Sequence, residues 1–148
     1  MIDYMQKLVI ANWGVGEQGK SSSVKAVFTL LSEKYPSTVL LNNGDIKATV
    51  QMGDVLVGIE SQGDPNSRQG ESLRDFLNMG CDIIVCASRS YGETCENIKE
   101  LKKHGFQVVW TQNDRSDDES LHNYLNRKYA ERVVEMIEDR VEGQKVSV

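Results

Sequence analysis

The sequence predicts an α/β protein: a mostly parallel sheet with helices on both faces, in a single domain that covers residues 1–148. Short apolar runs alternate along the chain with segments in which apolar residues recur at helical spacing. Uninterrupted apolar runs are typical of strands buried on both faces, and strands joined through helices usually pair in parallel. A chain of 148 residues is long enough for one ordinary domain with its own core.

In the first half of the chain, residues 7–11 predict a buried strand that stops at a glycine-rich stretch. A helix is predicted over residues 20–33, and Pro36 follows its end. Residues 38–41 predict a second buried strand. Residues 46–51 alternate apolar and polar side chains, residues 52–54 give a turn signal, and residues 55–60 run back as a strand. This pattern predicts a β-hairpin over residues 46–60 with a half-exposed first strand. We expect the antiparallel strand of this hairpin at the edge of the sheet.

The second half predicts a polar loop, two short helices, two buried strands and a long final helix. The loop covers residues 61–70. The two short helices cover residues 71–79 and 93–104, and the two strands cover residues 83–87 and 106–111. Ser116 is the predicted N-cap of the final helix. The apolar residues predicted to face the core from this helix are Leu121, Leu125, Val133 and Ile137. Residues from about Gly143 onward are expected to fray.

The charge balance and the cysteines exclude some classes of function. Acidic residues number 22 and basic residues 17, which gives a formal net charge of −5. Acidic chains bind nucleic acids and membrane surfaces poorly, so neither partner is expected. No apolar run approaches the roughly 18 residues of a membrane span, and no apolar signal core follows Met1, so we expect a cytoplasmic protein. Cys81, Cys86 and Cys95 form no C-x-x-C pair and are predicted to be buried, reduced thiols.

A glycine-rich loop lies between the first predicted strand and the first predicted helix. Its residues are Gly14, Val15, Gly16, Glu17, Gln18, Gly19, Lys20 and Ser21, with Ser22 following. The loop fits both G-x-G-x-x-G, a dinucleotide fingerprint, and G-x-x-x-x-G-K-[ST], the P-loop. In either motif, backbone N–H groups and the helix N-terminus bind phosphate. Lys20 and Ser21 favour the P-loop, where lysine contacts the β and γ phosphates and the hydroxyl binds Mg²⁺.

This segment resembles the Walker A motif of P-loop NTPases, in the expected context between a strand and a helix. The resemblance implies the three-layer P-loop NTPase fold, with one antiparallel strand in a mostly parallel sheet. It also implies Mg²⁺ as cofactor and ATP or GTP as ligand. A dinucleotide site would instead need an acidic residue about 20 positions further on, where this chain has Asn42 and Asn43.

A carboxylate at the end of a strand next to the P-loop strand is expected to hold Mg²⁺ through water. Glu60 stands at such a strand end, and with Gly63 it forms E-x-x-G, which is similar to the D-x-x-G switch of GTPases. The resemblance implies that the Gly63 N–H contacts the γ-phosphate. Asp64 is a candidate for positioning or deprotonating the attacking water, and Arg68 for contacting the γ-phosphate. The alternatives are a plain turn and a solvated loop arginine.

Two later loops carry further candidates. Residues 111–114 resemble the N/T-K-x-D motif of GTPases, which implies that Asp114 reads guanine; the alternative is a polar loop before the final helix. Arg89 follows another buried strand and is a candidate phosphate clamp. Asn42, Asn43 and Asp45 follow the second strand and are candidates for binding Mg²⁺-bound water or an acceptor substrate, or for the turn alone.

The leading functional hypothesis is Mg²⁺-dependent binding of a nucleoside triphosphate, with hydrolysis of its β–γ bond. The incomplete guanine motif favours ATP over GTP. One alternative is a small-molecule or nucleotide kinase, whose acceptor would bind between the second-strand loop and residues 61–68. Another is a non-catalytic switch module that binds nucleotide and changes its protein partner.

Overall fold

The computed structural model describes residues 6–14 and 19–146, with side chains up to residue 143. Within these residues, one sheet has six strands: β1 (Lys7–Trp13), β2 (Ser37–Asn42), β3 (Ile46–Met52), β4 (Val55–Glu60), β5 (Ile83–Ser88) and β6 (Phe106–Thr111). The helices are α1 (Lys20–Ser32), α2 (Gln69–Met79), α3 (Glu93–Glu100) and α4 (His122–Val146). Short 3-10 turns cover Leu101–His104 and Glu119–Leu121.

The strands follow the order β2-β3-β4-β5-β1-β6 across the sheet. β4, β5, β1 and β6 are parallel, and β3 alone runs antiparallel to its neighbours. The predicted α/β class with a mostly parallel sheet is therefore confirmed. The predicted edge position of the antiparallel strand is wrong. Residues 43–45 join β2 to β3 so tightly that these strands form a second hairpin, and β2 takes the outer position.

The edge position of β2 also changes its burial. The sequence predicts a buried strand here, but all six residues of β2 are exposed, with Val39 and Leu41 each 48% exposed. An edge strand has a neighbour on one side only, and no β2 residue belongs to either hydrophobic core of the described chain. β3, predicted to be half exposed, is mostly buried because strands flank it on both sides. Lys47 is buried there, and its amine pairs with Asp75 of α2.

Two hydrophobic cores lie on opposite faces of the sheet. On one face, α1 and α4 pack against alternate residues of the strands, such as Leu8 and Ile10 of β1. On the other face, α2 and α3 pack against the intervening residues, such as Val9 and Ala11. This arrangement confirms the prediction of helices on both faces. It also means that successive residues at the end of β4 face α1 and α2 in turn.

The final helix differs in detail from its prediction. Asp118, and not Ser116, caps the turn before α4, where its side chain accepts a hydrogen bond from the Ser120 N–H at 3.0 Å. Leu121 is 43% exposed because it belongs to that turn and precedes the helix. α4 continues through Gly143 to Val146, beyond its predicted end. Residues 147 and 148 lie outside the described chain.

The three cysteines are free and buried, as predicted. Burial raises the pKa of the Cys81 thiol to about 12, so the thiol stays protonated at neutral pH. Within residues 6–14 and 19–146, no helix has the length and apolar character needed to cross a bilayer.

A side chain at Gly58 of β4 is expected to destabilise the fold. A Cβ at this position would lie 2.5 Å from the Cγ atom of Phe76, a fully buried residue of α2. We expect Gly58→Ala to lower the free energy of unfolding by about 1–3 kcal/mol, because the ring has to move within a packed core. Urea unfolding of the purified variant measures this change.

Gly143→Ala is the matched control. Within the described residues, no atom outside the glycine's own turn of helix lies within 4 Å of the Cβ position there, and alanine favours helix over glycine by about 0.5–1 kcal/mol. This variant is expected to be slightly stabilised. Equal effects at the two glycines would contradict the close packing of β4 against α2.

Candidate functional site

The carboxyl ends of β1, β4, β5 and β6 and the turn between β2 and β3 meet at one edge of the sheet. A cavity of about 240 Å³ opens at this edge. Its lining residues are Gly19, Lys20, Ser21, Ser22, Asp45, Ser61, Gln62, Gly63, Asp64 and Ala87. The structure thus brings the start of the predicted P-loop helix together with the predicted switch-like loop. Open α/β sheets bind ligands at this edge.

The glycine-rich loop is described only at its two ends. Val15, Gly16, Glu17 and Gln18 lie outside the described residues. The Gly14 N–H donates to the Ser88 carbonyl of β5 at 3.1 Å, which fixes the entrance of the loop. Gly19 has a φ of 77° and directly precedes α1, whose first hydrogen bond runs from the Ser23 N–H to the Gly19 carbonyl at 2.9 Å.

Lys20 is a buried cation at the N-terminus of α1. It is 6% exposed, and its Nζ donates to the Gly14 carbonyl at 3.0 Å. Burial is the main cause that lowers its pKa; the nearby charge of Arg89 adds to this, and Asp64 opposes it. A buried ammonium beside a helix N-terminus creates a positive potential, which favours an anion at this end of the cavity.

Asp45 forms the centre of a cluster of oxygen atoms in the same cavity. Its Oδ1 accepts hydrogen bonds from the Ser21 hydroxyl and, at 2.9 Å, from the Ser61 hydroxyl. The Ser61 Oγ in turn accepts from the Ile46 N–H at 2.8 Å. Sequence reasoning named Asp45 only in a group with its neighbours and missed Ser61. The available signal was position: Ser61 directly follows β4, and Asp45 lies in the short turn after β2, both at the carboxyl edge of the sheet.

Glu60 has a different environment from the one predicted. It is fully buried, and its carboxylate accepts from Arg68 Nε at 2.8 Å, Ser72 Oγ at 2.6 Å and the Gln62 N–H at 3.0 Å. It lies beside Cys86 in the sheet register, on the face covered by α2. β5 also separates β4 from β1, so the predicted adjacency to the P-loop strand is wrong, and the two strands are about 10 Å apart.

Arg68 forms an ion pair with Glu60 and does not line the cavity. Besides the ion pair, its Nη1 donates to Asn43 Oδ1 at 2.9 Å, and its backbone N–H donates to Gln62 Oε1 at 3.0 Å. The guanidinium therefore ties the loop after β4 to the turn between β2 and β3. Contact with a γ-phosphate is the predicted role of Arg68, and it would require the guanidinium to break these hydrogen bonds.

Gly63 and Asp64 lie at the mouth of the cavity, and Arg89 pairs with Asp64 next to it. A Cβ at Gly63 would approach the Ala87 carbonyl carbon to 2.5 Å, so only glycine lets the loop pass this close to β5. Arg89 Nε donates to Asp64 Oδ1 at 3.0 Å. The Asp64 side chain is 67% exposed, which leaves it accessible to water. The structure thus brings these predicted residues together.

A second cavity, of about 150 Å³, lies on the other side of the α1 N-terminus. It is lined by Gly19, Ser22, Asp114, Arg115, His122, Asn123 and Asn126. It shares Gly19 and Ser22 with the first cavity. Sequence reasoning predicted Asp114 in this region and missed the two amides of α4. Nearby, Asn12 Nδ2 donates to Asn113 Oδ1 at 3.0 Å, whereas the buried Asn12 Oδ1 has no hydrogen-bond partner in the described chain.

The oxygen atoms of the first cavity suit magnesium. Within residues 6–14 and 19–146, no three His, Cys, Asp or Glu side chains cluster as a ready-made metal site. Magnesium usually binds through one or two protein oxygens and completes its shell with substrate phosphates and water. The Ser21 hydroxyl and the Asp45 carboxylate are oxygens of this kind.

The lowered pKa of Lys20 predicts a specific pH dependence of stability. In the unfolded chain the lysine titrates near 10.5. Between the lowered folded pKa and that value, unfolding takes up a proton, so the free energy of unfolding rises with pH. We expect Lys20→Met to lack this rise and the exposed-site variant Lys102→Met to retain it. Urea unfolding between pH 7 and about pH 10.5 tests this, and parallel curves for all three proteins would contradict it.

Comparison with known proteins adds no relative to this description: no family model, no curated protein and no solved structure matches the chain.

Proposed function

We propose that this protein binds a magnesium–nucleoside triphosphate, ATP or GTP, and hydrolyses its β–γ bond. The observation that carries the proposal is the placement of Lys20 and Ser21 at the start of α1, in one cavity with the acidic groups of Asp45 and Asp64. A buried ammonium at a helix N-terminus suits a polyphosphate. A hydroxyl and a carboxylate beside it suit the accompanying cation.

The two cavities beside the start of α1 support one orientation of the nucleotide. Their shared residues, Gly19 and Ser22, would lie beneath the middle of the ligand. The terminal phosphates would occupy the cavity of Lys20, and the base would extend toward Asp114. The carboxylate of Asp114 and the side-chain amides lining the second cavity offer hydrogen-bond partners for the edge of a base.

Hydrolysis is favoured over transfer to an acceptor by the contacts around the cavity. A kinase acceptor would bind between the β2–β3 turn and residues 61–68. Hydrogen bonds from Arg68 to Asn43 and from Ser61 to Asp45 already engage polar groups that an acceptor there would use. Asp64, exposed at the mouth, can instead accept a proton from an attacking water. Lys20 and the loop N–H groups would stabilise charge on the transferring phosphoryl group, and magnesium, when bound, would neutralise further charge on the phosphate oxygens.

Lys20 is expected to be essential for binding. Lys20→Met should weaken the affinity for Mg–ATP or Mg–GTP by about 10- to 100-fold, the usual loss when a charge-assisted hydrogen bond is removed. Lys102→Met removes an exposed charge outside both cavities and should leave the affinity unchanged. Calorimetric titration with each nucleotide measures these affinities and identifies the preferred base. Absence of triphosphate binding to the unmodified protein, or equal binding by Lys20→Met, would refute the proposal.

Asp64 is expected to affect turnover more than binding. Asp64→Asn keeps the size of the side chain and removes its basicity, so phosphate release should slow by about 10²-fold with little change in affinity. The matched control is Asp117→Asn, in the loop before α4 and outside the cavity lining. Steady-state phosphate release without any acceptor is the measurement. Tight binding without turnover in the unmodified protein would indicate the switch module instead.

A further inference from the structure

We propose that Asp45, and not Glu60, is the carboxylate that holds the metal ion of this site. The inference rests on the proposed function, since the ion would bridge the protein to the phosphates of the bound nucleotide. It assigns the metal to the turn between β2 and β3, and so to a part of the chain that the sequence motif does not include.

Asp45 is positioned by its contact with the P-loop serine. The Ser21 hydroxyl donates a hydrogen bond to Asp45 Oδ1, so the lone pairs of Ser21 Oγ stay available to a cation. A magnesium ion that contacts Ser21 Oγ would therefore lie within reach of the carboxylate, either directly or through one bound water. No other acidic side chain of the described residues bonds to Ser21 in this way.

The surrounding backbone holds Asp45 in place. The Ser61 N–H donates to the Ile46 carbonyl at 2.9 Å, and the Ile46 N–H donates to Ser61 Oγ at 2.8 Å. These two bonds join the start of β3 to the end of β4 next to the carboxylate. On the other side of the turn, Lys25 Nζ of α1 donates to the Gly44 carbonyl at 2.7 Å. A metal-binding carboxylate needs this kind of support from its surroundings.

Glu60 is unsuited to the same role. Its oxygens already accept two hydrogen bonds from Arg68 and one each from Ser72 and the Gln62 N–H. The Arg68 side chain is 13% exposed and Glu60 is fully buried. Moving Glu60 to a metal ion would leave the guanidinium charge largely buried without its partner, which is strongly unfavourable. Glu60 also lies on the face of α2, while Ser21 belongs to α1.

The test compares nucleotide affinity with and without magnesium. The proteins are the unmodified chain, Asp45→Asn and the control Asp54→Asn, which makes the same change in an exposed residue of the β3–β4 turn at the other end of the hairpin. Each is titrated with ATP and with GTP, once in excess magnesium and once in EDTA. Bound Mn²⁺ is measured separately by electron paramagnetic resonance in the presence of the preferred nucleotide.

Magnesium increases nucleotide affinity by a certain factor in the unmodified protein, and in Asp45→Asn this factor is expected to be about 10- to 100-fold smaller. A loss of this size is usual when the groups that support a metal are disturbed. The affinity of Asp45→Asn in EDTA should stay within about twofold of the unmodified value or increase, because a negative charge near the phosphates is removed. Mn²⁺ binding should weaken in parallel. Asp54→Asn should behave like the unmodified protein. If Asp45→Asn does not fold, Asp45→Glu, which keeps the charge but displaces it, should show a smaller loss in the same measurement.

One result would overturn the inference, and it differs from a failure of the proposed function. If the unmodified protein gains affinity with magnesium and folded Asp45→Asn retains that gain, Asp45 does not hold the metal. An equal loss of affinity in magnesium and in EDTA is one form of this result, because the residue would then act on the nucleotide alone. If the unmodified protein binds neither nucleotide in either buffer, the proposed function and this inference both fail.

Discussion

The alternation of side chains along β4 decides which residues can meet at the candidate site. Adjacent residues of a strand point to opposite faces of the sheet, and here α1 covers one face and α2 the other. Glu60, the last residue of β4, therefore lies among the partners that α2 and its preceding loop provide. Ser61, one position later, lies beside Ser21 and Asp45. A shift of one residue in this strand would exchange the two environments.

The buried ion pair of Glu60 and Arg68 has a structural consequence for the whole carboxyl edge. The ion pair fixes the loop after β4 to the end of that strand, and the same guanidinium donates to Asn43 in the turn after β2. Such a pair contributes little net stability compared with apolar packing, but breaking it by removing one partner is costly. Its value here is geometric, because it fixes the relative positions of two loops that each contribute residues to the cavity.

The sequence predicts the parts of this protein that depend on local pattern. Apolar runs and helical spacing predict the α/β class and most elements, and the glycine-rich loop predicts the position of Lys20 and Ser21. Local pattern does not distinguish an edge strand from a central one, so the apolar residues of β2 were expected to be buried. The insertion of β5 between β4 and β1 follows from long-range pairing. The contact of Asp45 with Ser21, 24 positions away in the chain, arises in the same way.

The exposure of β2 leads us to expect local opening at this side of the site. Strands at a sheet margin, with solvent on one side, open by local fluctuations that cost less free energy than global unfolding. Asp45 follows β2 after a short turn, so each opening of that hairpin would carry the carboxylate away from α1. A ligand that joins Asp45 to α1 would then slow amide hydrogen exchange along both β2 and β3, although it touches neither strand. The opening of this outer hairpin, and not of the core strands, would determine the lifetime of the contact between Asp45 and α1.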